Sequence, residues 1–280
     1  MNRKKDRKKL VISLIFGSAL LFAYLIVADL ATKLTGSIFE NPQIDQLATF
    51  ATQVITGIIA YMFMKKMYNI KLGPSCKNMV VGMFDHGAAA WIFICLNMYE
   101  VALRGYTMPE LPITKVIFIV SISLLYNIGI GIAEEMIFRG IFFNSFKRFF
   151  GDTNKGIILS MILSSAMFGV VHVVNLTGHP ELIVSTIAQM IYAILFGAMF
   201  CVVYYRTGNL WPGIILHGLI DFVASDHVFT DLNPAMVKAD DTVFMGILSV
   251  AMVFLAFITA LVQFHVAFKD KRVKTLETNV

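Results

Sequence analysis

Two carboxylates and one guanidinium lie within an apolar stretch near the middle of the sequence, at Glu134, Glu135 and Arg139. Ionisable groups inside a membrane helix cost roughly 2.5–3.5 kcal/mol each even on the mildest scale, so they usually serve a function. Glu135 and Arg139 are four residues apart, share a helix face and can pair. Glu134 points about 100° away and is left available for acid–base chemistry. The alternative is a structural ion pair, although a pair would need only one of the two acids.

Two later apolar stretches also carry polar side chains at helical spacing. Phe168 precedes His172 by four residues, and His217 precedes Asp221 by four, so each pair shares one helix face. A single histidine in a membrane helix is often a hydrogen-bonded packing residue. Three such segments together favour a shared site. A proton relay in a transporter is one kind of such a site, and a hydrolytic centre is another.

These side chains can meet only if they lie at a similar depth in the membrane. Counting at ~1.5 Å per residue from the nearest basic residue gives depths of about 20 Å for Glu134, 26 Å for His172, 17 Å for His217 and 22 Å for Asp221. All four fall within a layer about 9 Å thick. The sequence therefore predicts one polar pocket near the middle of the bilayer.

The elements that must position this pocket are membrane helices. The 280 residues are 58% hydrophobic and 15% charged, with a mean hydropathy of +0.74, whereas a soluble domain is about one quarter charged. We predict an all-α, polytopic integral membrane protein with the site inside the helical bundle. Eight helices are expected at about 10–31, 46–66, 79–104, 113–147, 156–176, 182–205, 211–225 and 242–268. They group into N-terminal helices (1–112), a catalytic core (113–225) and a last helix with a basic tail (226–280).

The basic residues support this segmentation. Of the 23 Lys and Arg residues, 18 fall at one end of the predicted helices and four at the other, while Arg139 lies within a helix. The positive-inside rule then places both termini in the cytoplasm, with the chain in a plasma membrane. Because the positive charge of +5 is divided among short clusters between apolar segments, it does not indicate a nucleic-acid partner.

The fourth predicted helix is too long for an upright span, at about 52 Å. Gly129 and Gly131 would permit a kink within it. Several aromatic residues near its end suit the cytoplasmic interface of the membrane. They are Phe142, Phe143, Phe146, Phe149 and Phe150.

Three motifs follow one another along the chain. They are Glu134-Glu135-x-x-x-Arg139, Phe168-x-x-x-His172 and His217-x-x-x-Asp221. This order resembles the CPBP family (Abi domain), which includes type II CAAX prenyl endopeptidases and bacterial intramembrane proteases linked to bacteriocin self-immunity. The resemblance extends over about 113–221 and implies an intramembrane endopeptidase, with a bacterial plasma membrane as its setting.

The resemblance also implies roles for the site residues. Glu134 is expected to act as general base and to hold a water together with His172. His217 is expected to help stabilise the oxyanion of the tetrahedral intermediate. Phe168 is expected to line the substrate pocket.

Three further residues complete the expected site. Glu135 and Arg139 would fix its shape. Asp221 departs from the Asn that many members have at this position. Because an ionised Asp cannot donate to an oxyanion, Asp221 is expected either to be protonated or to orient His217.

A zinc hydrolase is the alternative mechanism, with Glu134, His172 and His217 as candidate ligands. The helix-borne His-Glu-x-x-His motif is absent from the sequence, so a metal-free water activated by glutamate is preferred. No cofactor other than zinc is suggested.

The expected partners are the lipid bilayer and a peptide or membrane-protein substrate. Peptide maturation, bacteriocin self-immunity and CAAX-type processing are the candidate settings, although no residue indicates a prenylated substrate. A proton-coupled transporter and a non-catalytic membrane scaffold are the alternative functions, and the absence of an inverted repeat speaks against the transporter.

Overall fold

The computed structural model describes residues 3–70, 75–103, 110–177 and 180–233, together with positions 251, 254, 258, 261, 262 and 265. The secondary structure of the described residues is helical. The α-helices are α1 (Arg3–Phe39), α2 (Pro42–Tyr68), α3 (Cys76–Val81), α4 (Ala88–Leu103), α5 (Ile113–Glu135), α6 (Asn144–Phe150), α7 (Asn154–Val171), α8 (Ile183–Thr207), α9 (Trp211–Ala224) and α10 (Asp226–Leu232). Short π-helical and 3-10 segments connect several of them, at Gly82–His86, Met136–Phe143, His172–Leu176 and Pro180–Leu182.

The predicted all-α membrane fold is confirmed. Five described helical stretches are long and apolar enough to cross a membrane, or six if the bent pair Cys76–His86 and Ala88–Ala102 is one span. The predicted count of eight stays a prediction, because α9 has only 14 residues and the segment 242–268 lies mostly outside the described residues. The five stretches are Asp6–Phe39, Pro42–Tyr68, Ile113–Phe150, Asn154–Leu176 and Pro180–Thr207.

Local signals in the sequence determine where these helices begin and end. The Asn41 side chain accepts a hydrogen bond from Gln43 N and so caps α2, because the first amides of a helix lack partners within it. Thr153 caps α7 in the same way by accepting from Gly156 N. Gly208, with φ 65°, ends α8 in the left-handed conformation that glycine adopts readily.

The helix that carries the two glutamates continues from Ile113 to Phe150 as a single stretch. Its irregularity lies at Met136–Phe143, where the backbone becomes π-helical, and not at Gly129 and Gly131, which belong to the regular α5. The expected kink at the two glycines is therefore replaced by a π-helical segment that directly follows the glutamates. Such segments are rare and are frequently found at functional sites.

α5 is the central helix of the bundle. It packs against α2 and also against α9, which in turn contacts α4. α1 packs along α2 and reaches α6 and the π-helical segment, while α7 packs along α8 and on α6. The site residues therefore lie on helices that contact several neighbours.

Aromatic residues that follow the glutamates form part of the core. Phe138 and Phe142 are fully buried, Phe143 is 1% exposed and Phe146 is 7% exposed. The prediction that these residues suit the cytoplasmic interface concerns their depth and stays a prediction, but the side chains of Phe142, Phe143 and Phe146 are buried within the protein. Packing is the reason: α1 and α7 flank this stretch, and Gly17 of α1 lies directly against the Phe142 ring.

Candidate active site

A single carboxylate oxygen joins two helices at the centre of the site. Glu135 Oε1 lies 2.8 Å from Arg139 Nη1 and 2.9 Å from His217 Nδ1. The Glu135 side chain is 1% exposed and that of Arg139 is fully buried. Because charge-assisted hydrogen bonds strengthen in a low-dielectric interior, this oxygen fixes His217 of α9 against the helix that carries the glutamates.

Two aromatic rings also contact the Arg139 guanidinium. Its Cζ lies 4.4 Å from the centroid of Phe168 and 5.5 Å from that of Phe200. Among the described residues, none of its three nitrogen atoms has a hydrogen-bond partner, so its contact with Glu135 is an ion pair. A buried cation of this kind is stabilised by one carboxylate and by the negative faces of two rings.

The other nitrogen of His217 faces two further carboxylates. His217 Nε2 lies 3.3 Å from Asp221 Oδ2 and 3.7 Å from Glu134 Oε2. The 3.7 Å separation is too long for a direct hydrogen bond and short enough for one water to contact both groups. The Glu134 side chain is 14% exposed and that of Asp221 is 30% exposed.

His172 is held by the backbone of its own helix. Its Nδ1 lies 2.9 Å from the Phe168 carbonyl oxygen, and since a carbonyl can only accept, Nδ1 must carry the hydrogen. In the neutral imidazole, Nε2 is then an acceptor. Glu134 lies close enough to His172 and to Asp221 for their charges to interact with that of its carboxylate.

Phe168 lies between the two histidines. Its ring centroid is 5.2 Å from that of His172 and 5.5 Å from that of His217, both in edge-to-face geometry. The side chain is 3% exposed and forms an apolar wall of the site.

Close backbone contact between α5 and α9 brings the site residues together. A Cβ at Gly131 would collide with Ile214 O, and one at Gly218 would lie 2.7 Å from Ile128 Cα. Only glycine at these two positions permits this approach, which is why His217, next to Gly218, reaches both glutamates. Gly131, which was expected to permit a kink, instead admits the neighbouring helix α9.

The structure thus places every predicted site residue in one cluster. Sequence reasoning missed Phe200, which stacks on His217 with centroids 5.6 Å apart and planes at 16°. It is one of 24 phenylalanines, and nothing in the sequence distinguishes it from the others. It also missed that Glu135 contacts His217 as well as Arg139.

The side chains as placed do not form a zinc site. Within the described part of the chain, no group of three His, Cys, Asp or Glu side chains has positions that could hold a metal ion. The two histidine Nδ1 atoms are engaged by Phe168 O and Glu135, and His217 Nε2 faces Asp221. A zinc-binding histidine commonly donates its second ring nitrogen to a carbonyl or a carboxylate in this way, so the contacts of His172 and His217 leave zinc as a candidate cofactor.

Fold and site together define a multi-pass α-helical membrane protein with a buried acid–histidine cluster. Residues 116–223 match the family described as Type II CAAX prenyl endopeptidase Rce1-like. This part of the chain is similar to an Rce1-like domain, and the resemblance inferred from the three motifs is confirmed. The family supports a CAAX-type intramembrane protease in general. No curated protein and no solved structure matches the chain.

Proposed function

We propose that the protein is an intramembrane endopeptidase in which Glu134 activates a water that hydrolyses a peptide bond. The observation that carries this proposal is the approach of Glu134 Oε2 to His217 Nε2 at 3.7 Å, inside a domain of a protease family. This spacing accommodates a water beside a carboxylate that can take its proton. A general base of this kind contributes about 10²–10⁴-fold to a rate.

The reaction follows from these positions. Glu134 accepts a proton from the water as a new C–O bond forms at the peptide carbonyl, while the Nε2 lone pair of His172 holds the water's other hydrogen. The carbonyl oxygen becomes an oxyanion. Glu134 then passes its proton to the amide nitrogen as the C–N bond breaks, which releases an amine and a carboxylic acid.

His217 is the group that stabilises the oxyanion. A histidine that faces carboxylates on both ring nitrogens can donate from both as an imidazolium. Glu135 accepts from Nδ1, and the Nε2 hydrogen, which faces Asp221 before the reaction, is donated to the oxyanion as it develops beside Glu134.

Asp221 orients His217 from the same helix. Its contact with His217 Nε2 at 3.3 Å supports this role over that of a protonated donor, because an acceptor is what a donating imidazole requires. Glu135 and Arg139 determine the shape of the site without touching the substrate.

The proposed reaction needs no metal ion. A water bound by Glu134 and His172 is proposed over a zinc-bound one because Glu134 can serve as the base and the helix-borne His-Glu-x-x-His motif is absent from the sequence. The proposed substrate is a peptide or a membrane-associated protein, and the proposed location is a plasma membrane with both termini in the cytoplasm, as the distribution of basic residues suggests.

Comparative membrane proteomics tests this function. Cells that produce Glu134→Gln or His172→Ala protein should accumulate an uncleaved precursor that cells with the intact protein do not. Glu110→Gln is the matched control, because it makes the same chemical change at an exposed position. A membrane proteome unchanged by both site variants would contradict the proposal. Normal biological activity of the Glu134 variant would instead point to a scaffold.

A further inference from the structure

Two helices that precede the matched residues bring polar side chains to the level of the glutamates. The Rce1-like match begins at residue 116, whereas Tyr24 belongs to α1 and Gln53 to α2. Counting ~1.5 Å per residue from Lys9 and from Lys65 places Tyr24 about 22 Å and Gln53 about 18 Å from the basic helix ends. Both depths fall within the layer that contains the site residues.

Gln53 is a buried amide without a partner. Its side chain is fully buried, and among the described residues neither its nitrogen nor its oxygen has a hydrogen-bond partner. A buried polar group that stays unpaired is unfavourable, and in a native protein a catalytic role is one of the few reasons for keeping it. Gln53 is therefore a candidate functional residue.

The backbone of the glutamate helix admits this amide. A Cβ at Gly129 would collide with Gln53 Oε1, so glycine at this position leaves room for the amide oxygen. One turn further along α2, a Cβ at Gly57 would collide with Ile132 Cγ2. These two close contacts fix Gln53 beside α5, a little more than one turn before Glu134.

Tyr24 lies between Gln53 and the glutamates. It is 7% exposed and belongs to the same buried cluster as Ala133 and Met136, the residues on either side of the two glutamates. The hydroxyl lies near enough to the Gln53 amide to interact with it, and close enough to Glu134 for the charge of the carboxylate to act on it. Tyr24 thus extends from α1 to the catalytic base.

Glu134 is approached from two helices. His217 Nε2 of α9 lies 3.7 Å from Glu134 Oε2, and the Tyr24 hydroxyl of α1 is the neutral donor near the same carboxylate. Hydrogen bonds at catalytic groups are often long in a free enzyme and tighten when the substrate binds. The unpaired Gln53 amide can then pair with the Tyr24 hydroxyl.

We infer that Tyr24 and Gln53 are positioning residues of the active site: the Gln53 amide orients the Tyr24 hydroxyl, which donates toward the Glu134 carboxylate and holds it toward His217. The inference rests on the proposed function and deepens it, because the site then includes the first two helices. A neutral hydroxyl suits this role, since it restricts the carboxylate without neutralising the charge that accepts a proton from water.

Stability and kinetics of the purified protein test this role together. Gln53→Met replaces the unpartnered amide with an apolar side chain of similar length, so the Tm should stay unchanged or rise. The kcat for precursor cleavage should nevertheless fall about tenfold. Tyr24→Phe removes only the hydroxyl and should lower kcat by a similar factor at unchanged KM, because the position of the base matters in the transition state.

Two control variants make the same chemical changes elsewhere in the protein. Tyr68→Phe removes a hydroxyl that bonds serine hydroxyls of α1 and α6, and Gln46→Met removes an amide that accepts from a serine of α5. Both should lower the Tm, because a bonded polar group is lost, and leave kcat within about twofold of the intact protein. A fall of kcat in the controls equal to that in the site variants would overturn the inference.

A spectroscopic measurement tests the placement of Tyr24 without catalysis. A fluorotyrosine is introduced at position 24 alone, and fluorine NMR spectra are recorded in detergent. The inference predicts that its resonance shifts in Glu134→Gln and in Gln53→Met and keeps its position in Glu110→Gln, which changes an exposed side chain. A resonance that responds to neither site variant would overturn the inference.

The inference and the proposed function fail in different ways. A loss of cleavage in Glu134→Gln beside full kcat in Tyr24→Phe and Gln53→Met would contradict the inference alone. Full cleavage by Glu134→Gln would contradict the peptidase mechanism, and the fluorine spectrum would still decide whether Tyr24 faces Glu134.

Discussion

At the scale of single residues, the site depends on the carboxylate of Glu135, which forms an ion pair with a guanidinium and accepts a hydrogen bond from an imidazole through one oxygen. Arg139 is fully buried, so it cannot exchange this partner for water. The charge of Glu135 is therefore needed for the site to exist at all, whereas the charge of Glu134 is needed for the reaction.

Glu135→Gln should consequently destabilise the protein strongly. Removing one partner of a buried ion pair leaves an uncompensated charge and costs about 3–5 kcal/mol. The measurement is the Tm of the purified protein in detergent, with Glu134→Gln as control because Glu134 is outside the ion pair. Equal Tm values for the two variants would contradict the role given to Glu135.

Asp221→Asn distinguishes orientation from proton donation. An amide oxygen can still accept from His217 Nε2, but the hydrogen bond loses its charge, which costs about 1–2 kcal/mol or roughly tenfold in rate. Asp221→Ala removes the acceptor and should lose more. The measurement is the initial rate of precursor cleavage, and equal rates for the Asn and Ala variants would contradict an orienting hydrogen bond.

The sequence predicted the local contacts of these residues and not the distant ones. The pair Glu135–Arg139 follows from helical spacing alone. The contact of Glu135 with His217 joins residues 82 positions apart, and counting depth could only place the two at a similar level. The stacking of Phe200 depends on how α8 is rotated, which hydropathy does not determine.

At the scale of helices, the approach of α5 to α9 sets the geometry of the catalytic groups. Gly131 and Gly218 let the two backbones touch, and the π-helical segment after Glu135 then turns Arg139 toward Phe168 and Phe200. Asn144 holds the end of this segment by donating to Arg139 O and Gly140 O, each at 2.9 Å.

Gly131→Ala should separate the two helices. The added methyl group collides with Ile214 O, and overpacking of this kind costs about 1–3 kcal/mol. A displacement of ~1 Å can also reduce a rate about 10²-fold. Gly36→Ala in α1 is the matched control, because its nearest contact, Asp45 Oδ2, is at an ordinary 3.6 Å. Cleavage by Gly131→Ala at the control's rate would contradict the contact.

Helix positions were predictable from the sequence, but their irregularities were not. Apolar stretches bounded by charge, proline and glycine predicted most of the described helices because membrane length imposes a strong constraint. The π-helical segment has no such signal. The π-helical segment depends on tertiary packing. Gly131, which suggested a kink, instead admits a neighbouring helix.

At the scale of the whole molecule, the bundle is asymmetric along the membrane normal. Buried aromatic residues fill the half near the basic helix ends, and buried polar side chains such as Ser123 and Asn127 lie in the other half. The charge distribution was readable in the sequence, whereas this asymmetry was not. The burial of Phe142, Phe143 and Phe146 follows only once the surrounding helices are in place.

The central claim is that Glu134 activates the hydrolytic water, and it is tested most directly by the cleavage rate of a precursor found by proteomics. The purified protein in proteoliposomes should cleave that precursor, and Glu134→Gln should lose about 10²–10⁴-fold in rate while Glu110→Gln cleaves like the intact protein. Cleavage by Glu134→Gln within twofold (roughly 0.4 kcal/mol in barrier) of the intact protein would contradict the account.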